Sequence, residues 1–157
     1  MKLSELIAAQ HVLVPLVAKD KWEVLAQIAA LPATTGAWPQ AMVGPIHQAL
    51  VARERTLTTG MEHGIAIPHA AVDGVDDLVA VLGLSATGIP FESMDGQPAH
   101  IVVGLVIPRS KKLMHIKTLA EIARVLDRPQ VRERLRGCRT GAEATDLLRS
   151  LESGAQR

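Results

Sequence analysis

The chain has 157 residues, of which 48% are hydrophobic and only 2% aromatic, and its formal net charge is +1. This length suits one domain with a full hydrophobic core, which must be built from Leu, Ile, Val and Ala. The small net charge and the shortage of aromatic stacking groups argue against a nucleic-acid-binding protein.

Cysteine content and apolar runs bear on the location of the protein. The single cysteine, Cys138, excludes an internal disulfide and fits a reducing compartment. Glu5 stands where a signal peptide would be apolar. The longest strongly apolar run, residues 101–107, is far shorter than the roughly 20 residues of a membrane-spanning helix. We therefore expect a cytoplasmic protein with no direct membrane insertion.

The N-terminal third predicts a short strand and two helices. Asp20 and Glu23 form a capping-box pattern, which begins the first helix. The second helix begins at either of two prolines, because proline is comfortable only in a first helical turn. The predicted elements are a strand at residues 12–14, a helix from Asp20 that ends near Leu31-Pro32 and Gly36, and a helix from about Pro39 or Pro45 to Arg53.

The middle of the chain predicts a sheet. Residues 101–107 are apolar on both faces, as in a central strand that helices cover on each side. Pro68 cannot donate a hydrogen bond to a sheet, so we expect strand pairing to stop there and His69 to stand at a stiff strand end. The predicted strands are residues 57–59, 65–67, 78–85 and 101–107.

Helical patterns return after Ser110, near residues 110–126, 130–135 and 141–151. This order of elements predicts the α/β class, with a single three-layer α/β/α domain and a mixed β-sheet flanked by helices. We expect the domain to span residues 1–152 and to be followed by a frayed tail at residues 153–157.

Two of the six histidines, His69 and His115, are candidates for chemistry. His115 lies in the first turn of a predicted helix, where the positive end of the helix dipole favours a neutral imidazole and a bound anion. Neutral imidazole is a good nucleophile, and its usual pKa of about 6.5 keeps it mostly neutral in the cytoplasm. The alternatives are that His69 is a plain strand-end residue and that His115 is a core histidine with a satisfied N–H.

Two polar segments lie before His69 in the sequence: Arg53-Glu54 and Thr58-Thr59-Gly60. A guanidinium fork and hydroxyl groups are natural partners of a phosphate. On its own, Arg53 would equally suit a solvated charge that stabilises the end of a helix.

These two segments and Gly64-Ile-Ala-Ile-Pro-His69 together resemble the signature of the IIA phosphocarrier of the phosphoenolpyruvate-dependent sugar phosphotransferase system, of the fructose/mannitol/nitrogen type. The similarity continues through residues 101–107 and 115–126 and covers roughly residues 3–151. The resemblance implies one α/β/α domain with a mixed sheet. Neither a cofactor nor a metal is needed, because one group passes between protein side chains.

The resemblance also implies roles for individual residues. His69 takes a phosphoryl group from the histidine of HPr and passes it to a IIB component for sugar uptake. His115 matches the second active-site histidine of the family, and Arg53 matches its arginine near the phosphate. From the residue types, we expect His115 to donate a hydrogen bond to the phosphoryl oxygens, Arg53 to help neutralise them, and Thr58 or Thr59 to add a hydroxyl donor. The alternative is a free-standing regulatory phosphoprotein of the nitrogen type, whose binding to target proteins depends on phosphorylation of His69.

The chain departs from this family just before the histidine, where Glu62-His63 replace a frequent Gly-Asn. His63 either assists at the phosphate or is merely exposed, and we expect it to be exposed. The apolar residues close to the two histidines in sequence are candidates for a partner-binding surface: Met61, Leu113 and Met114.

Three other interpretations are weaker. A zinc site would have to use His63, His69, His100 and His115, which have no compact ligand spacing and no cysteine partner. Cys138 begins a loop as the phosphorylated cysteine of IIB components does, but no apolar strand precedes it, so we expect a structural cysteine. The arginines between residues 124 and 139 alternate with acidic residues, as on an ordinary solvated face.

Overall fold

The structure is a computed structural model that describes residues 2–153, apart from the side chains of Lys112 and Ser153. Within these residues the helices are α1 (Leu3–Leu6), α2 (Lys21–Thr34), α3 (Val43–Thr56), α4 (Lys112–Leu126), α5 (Pro129–Arg136) and α6 (Gly141–Ser153). The strands are β1 (Val12–Leu13), β2 (Ile65–Ala66), β3 (His69–Val72), β4 (Val79–Ile89) and β5 (Ala99–Pro108).

The strands form one mixed sheet in the order β1-β4-β5-β2, with β3 also paired to β5. The long strands β4 and β5 are antiparallel, while β1 runs parallel to β4 and both β2 and β3 run parallel to β5. Thus β2 and β3 form one edge of the sheet, interrupted at Ile67-Pro68. The predicted mixed sheet is confirmed.

Helices cover both faces of the sheet, which confirms the predicted three-layer fold. Alternate residues of β5 enter different cores: Ile101, Val103 and Leu105 pack with α4, α5 and α6. Val102 and Val106 pack with α2 and α3 on the opposite face. The two-sided burial of β5 is the physical reason for its continuous apolar sequence.

Two predictions about strands were wrong. Residues 57–59 form no strand, because the Thr59 N–H donates to the Glu54 carboxylate instead of to a neighbouring strand. The strand breaks at Ile67-Pro68, as expected, but pairing resumes directly after it, so His69 does not stand at a strand end: it begins β3 and aligns with Leu105 of β5. Proline is tolerated here because the strand lies at the sheet edge, and the Pro68 carbonyl still accepts a hydrogen bond from the Leu105 N–H at 2.9 Å.

The helix predictions were closer. Asp20 caps α2 by accepting the Glu23 N–H at 3.0 Å, as predicted, while the Glu23 carboxylate bonds to the Lys19 N–H. The predicted end at Leu31-Pro32 is early, since buried Pro32 lies inside the last turn of α2. The domain boundary at residue 152 stays a prediction, and residues 154–157 of the expected tail lie outside the described residues. None of the described helices is long and apolar enough to cross a bilayer.

Candidate active site

The imidazole of His69 is held by the backbone just before it. Ala70 and Val72 of β3 are buried in the core formed with α2 and α3, so the alternating strand directs His69 to the opposite face, towards α4. Its Nδ1 lies 2.8 Å from the Ile67 carbonyl oxygen. A carbonyl only accepts hydrogen bonds, so Nδ1 carries the proton and Nε2 keeps its lone pair.

His115 meets His69 at the N-terminal turn of α4. The centroids of the two rings are 4.9 Å apart and the ring planes are inclined by 63°. The Nε2 atom of His115 is buried and has no hydrogen-bond partner among the described residues. A core histidine would need a partner there, so this finding speaks against the alternative interpretation of His115.

The surroundings favour the neutral form of both histidines. Burial lowers the pKa of His69 below its usual value; the hydrogen bond to Ile67 opposes this, Arg53 and His115 lower the pKa further, and Glu54 raises it. Burial lowers the pKa of His115 as well, and Arg53 adds to the effect. A neutral imidazole at this position is available as a nucleophile near neutral pH.

Arg53 lies in the last turn of α3, close enough for its charge to act on both histidines. Its Nη1 donates to the Leu57 carbonyl oxygen at 2.8 Å, which fixes the guanidinium beside the loop that follows the helix. The structure therefore brings together the three residues that the sequence singled out: Arg53, His69 and His115.

The two threonines do not offer their hydroxyl protons to this site. The Thr58 hydroxyl donates to the Phe91 carbonyl oxygen. The Thr59 hydroxyl donates to the Glu54 carboxylate at 2.5 Å. Each hydroxyl has one proton, so the predicted role of either threonine as a donor to a bound phosphate is not supported in this conformation.

His63 is exposed, as predicted, with 54% of its side chain accessible and its ring 3.7 Å from the Glu62 carboxylate. It lies in the tight turn before β2 and has a φ of +65°, followed by +76° at Gly64. Asn and His are among the residues that tolerate this left-handed region best. The replacement of a family Asn by His63 is therefore compatible with the backbone of the turn.

Sequence reasoning missed a buried ion pair behind the site. The Glu54 carboxylate bonds to Lys21 Nζ at 3.3 Å, and the two side chains are only 1% and 6% exposed. The signal for Glu54 was present, because it continues the Ile46–Leu50 stripe of α3 at a spacing of four residues. The burial of Lys21 could not be predicted from its neighbours, because its partner Glu54 lies 33 residues away in the sequence.

Exposed apolar side chains lie beside Arg53 and on the first turns of α4, which carry His115. Leu113 and Ile116 on α4 are 77% and 67% exposed, and Leu57 beside Arg53 is 68% exposed. Of the three predicted surface residues, Leu113 is thus exposed, while Met61 and Met114 are half-buried. Ile116 was not predicted, because sequence alone did not show which face of α4 was free. Leu57 was not predicted either, because it was assigned to a strand.

The other interpretations find little support. Among residues 2–153, no three His, Cys, Asp or Glu side chains lie in an arrangement that could hold a metal ion. Burial raises the pKa of Cys138, the reverse of what a reactive thiolate needs. Arg124 is paired with Glu121 at 2.6 Å, as expected for a solvated face.

Comparison with known proteins gives the same family as the resemblance in the sequence. The sequence profile of the phosphoenolpyruvate-dependent sugar phosphotransferase system, EIIA 2, matches residues 5–151. A nitrogen regulatory protein from Pseudomonas aeruginosa is 34% identical over 155 residues, which cover 98% of this chain and 99% of the relative.

Two solved structures share the fold. Nitrogen regulatory protein IIA-Ntr from Neisseria meningitidis has a TM-score of 0.83 at 21% identity and covers 93% of this chain and 98% of its own. The mannitol enzyme IIA from Escherichia coli, solved in complex with phosphorylated enzyme IIB, has a TM-score of 0.76 at 23% identity, with coverages of 92% and 97%. The chain belongs to the EIIA 2 family of the phosphoenolpyruvate-dependent phosphotransferase system.

Proposed function

We propose that this chain is a phosphocarrier in which Nε2 of His69 accepts a phosphoryl group from a phosphohistidine donor of the HPr type. One observation carries the proposal: Nδ1 of His69 lies 2.8 Å from the Ile67 carbonyl oxygen, which leaves Nε2 free on a ring whose centroid is 4.9 Å from that of His115. Histidine-to-histidine transfer requires alignment and charge stabilisation more than further covalent chemistry.

The transfer step exchanges one N–P bond for another. The lone pair on Nε2 of His69 forms a bond to phosphorus while the donor's N–P bond breaks and its electron pair returns to the donor imidazole. The Nδ1 proton of His69 stays on its hydrogen bond to Ile67, so the ring becomes positively charged. Arg53 and an N–H of His115 face the negative oxygens and lower the energy of the transition state.

For the fate of the phosphoryl group, we place regulation ahead of sugar uptake. The similarity to a nitrogen regulatory protein over 98% of this chain supports a regulatory phosphoprotein. Sugar uptake through a IIB acceptor, which was the first expectation from the sequence, becomes the second candidate and is supported by the family profile. A phosphoryl group adds about −1.5 to −2 charges at neutral pH, which is enough to change the preference of a target protein for this surface.

The surface around His69 suits transient protein partners. Leu57, Leu113 and Ile116 provide exposed apolar contacts, and Arg53 provides a charge beside them. A patch of this kind, apolar at its centre and polar at its rim, is typical of protein docking sites. The same surface would receive the HPr-type donor and then either the IIB acceptor or a regulatory target.

The primary test is phosphorylation of the purified chain. Incubation with phosphoenolpyruvate, enzyme I and HPr is expected to introduce acid-labile phosphate. His69→Ala should abolish the label, while His63→Ala, a matched change of an exposed histidine nearby, should retain it. Retention of label in His69→Ala would remove the assignment.

A second experiment separates regulation from transport. Phosphorylated chain is mixed with fructose- or mannitol-type IIB proteins and, in parallel, the two forms of the chain are used to capture target proteins. Loss of label to a IIB protein at a rate close to that of its own IIA would favour transport. Slow transfer together with capture of a defined target by only one form would favour regulation.

A further inference from the structure

We infer that Glu54 is a positioning residue for His69: its buried carboxylate fixes the backbone that holds the imidazole ready for transfer. The inference rests on the proposed function of His69, but it concerns a residue that makes no contact with the phosphoryl group. It accounts for a buried carboxylate that forms and breaks no bond in the transfer step.

The Glu54 carboxylate is surrounded by donors. It accepts the Thr59 N–H at 2.8 Å and the Thr59 hydroxyl at 2.5 Å. Its third partner is Lys21 Nζ at 3.3 Å, and Lys21 also pairs with the exposed Glu92 at 2.9 Å. The two distances from Glu54 to Thr59 are typical of charge-assisted hydrogen bonds, which are stronger than neutral ones.

A continuous series of hydrogen bonds joins Glu54 to the imidazole. Glu54 holds the backbone N–H and the hydroxyl of Thr59, and the Thr59 carbonyl accepts the Ile67 N–H at 3.1 Å. The Ile67 carbonyl in turn accepts Nδ1–H of His69 at 2.8 Å. Release of Thr59 would therefore loosen the backbone of Ile67, whose carbonyl selects the tautomer of His69.

The charge of Glu54 favours phosphoryl transfer to His69, as its hydrogen bonds do. Arg53 and His115 disfavour a positive His69 ring, and Glu54 favours it, although burial remains the largest influence and keeps the His69 pKa below its usual value. The ring becomes positive when Nε2 bonds to phosphorus. A fixed negative charge behind the ring thus stabilises the product side of the step.

Stability alone is a poor explanation for this ion pair. Replacement of a buried pair by apolar residues of similar volume is often neutral or stabilising, because both charges lose their hydration. A folded chain could therefore fill the space between α2 and α3 with hydrocarbon. The carboxylate is useful here because it can hold a backbone N–H and a hydroxyl together beside the active strand.

The test is Glu54→Gln, with Glu92→Gln as the matched control. The first change removes the charge and places an amide among donors, whereas the second removes only the exposed partner of Lys21. For Glu54→Gln we expect phosphorylation of His69 at saturating HPr to slow by about 10- to 100-fold, with little change in the HPr concentration for half-maximal rate. Glu92→Gln should match the wild-type rate.

A second readout follows the imidazole itself. Nitrogen-15 NMR of the unphosphorylated protein should show His69 with its proton on Nδ1 in the wild type and in Glu92→Gln, and a mixture of tautomers in Glu54→Gln. A rate and a tautomer unchanged in folded Glu54→Gln would overturn the inference. If the wild-type chain takes no phosphate, the proposed function fails, while the NMR comparison still decides the role of Glu54.

Thr59→Val decides the matter if Glu54→Gln does not fold. It removes only the hydroxyl donor and leaves the Thr59 N–H on Glu54. Loss of one charge-assisted hydrogen bond should slow phosphorylation by about threefold to tenfold and broaden the His69 tautomer signal. Wild-type values for both measurements would then contradict the inference.

Discussion

The two sides of the interrupted edge strand differ in how their polar groups are satisfied. On one side, which we call the closed side, Lys21, Glu54 and Thr59 form a network in which both carboxylate oxygens of Glu54 accept a hydrogen bond. On the other side, which we call the open side, His69 keeps a free Nε2 and His115 has a buried Nε2 with no partner in the described chain. The closed side fixes geometry, and the open side is left for a reactant.

This contrast distinguishes residues that position from residues that react. Buried polar groups are almost always satisfied within a protein, and exceptions concentrate at functional sites. Substitutions on the closed side should therefore lower stability first, whereas those on the open side should lower activity and can raise stability. The following predictions test that division, beginning with the largest effect.

Lys21→Met should lower the free energy of unfolding by about 3 to 5 kcal/mol, because it leaves the Glu54 carboxylate buried without its cation. Urea unfolding followed by circular dichroism measures the change. Lys19→Met is the control: its ammonium is 78% exposed and lies 3.9 Å from Glu23, so its loss should cost less than about 1 kcal/mol. Similar losses in both variants would mean that the closed side has no special role in stability.

His115→Ala should reduce onward transfer from phosphorylated His69 by about 100-fold, the usual effect of removing one donor from a developing anion. Phosphorylation of His69 itself should survive in part, since Nε2 remains free. Single-turnover transfer to the acceptor protein gives the rate. Lys117→Ala, an exposed change on the same helix, should behave as wild type.

His115→Leu should raise the free energy of unfolding by about 1 kcal/mol while transfer is lost. The substitution replaces a buried, unpartnered nitrogen with apolar atoms of similar size, which removes a desolvation cost. Thermal and urea unfolding of the unphosphorylated protein measure the gain. A clear loss of stability would place His115 on the closed side of the comparison.

The free energy of unfolding should depend on pH through the two histidines of the open side, His69 and His115. The pKa values of His69 and His115 are lowered in the folded protein, mainly by burial, so the unfolded chain binds protons first as the pH falls below about 6.5. The free energy of unfolding should therefore decrease from that pH downward until the folded-state pKa values are reached. The double variant His69→Gln/His115→Gln should show a shallower decrease, measured as urea midpoints across this range.

Sequence revealed the open side better than the closed side, for a physical reason. His69 follows a recognisable local pattern and His115 lies in the first turn of a strongly periodic helix, so each could be placed without knowledge of the other. The Lys21–Glu54 pair depends on the packing of α2 against α3, and charged residues are rarely buried unless such a partner exists. No local signal in the sequence announces that partner.

The error at Pro68 has a related cause. Proline removes one donor, which ends a central strand, but at an edge the missing N–H has no strand to serve. Which strand lies at the edge is decided by the sheet order, and that order depends on pairing between residues about forty positions apart, such as His69 and Leu105. Local pattern predicted that a strand was present but not its neighbours.

The interrupted edge strand affects how a partner protein distinguishes the phosphorylated form from the unphosphorylated one. Segments on both sides of the histidine, β2 and β3, are in register with β5, so the backbone has little freedom to move when a group is added. We expect both forms of the protein to share one shape. A partner would then distinguish them through an electrostatic label at short range, with rigid-body association rates that fall as salt is raised and no slow rearrangement before binding.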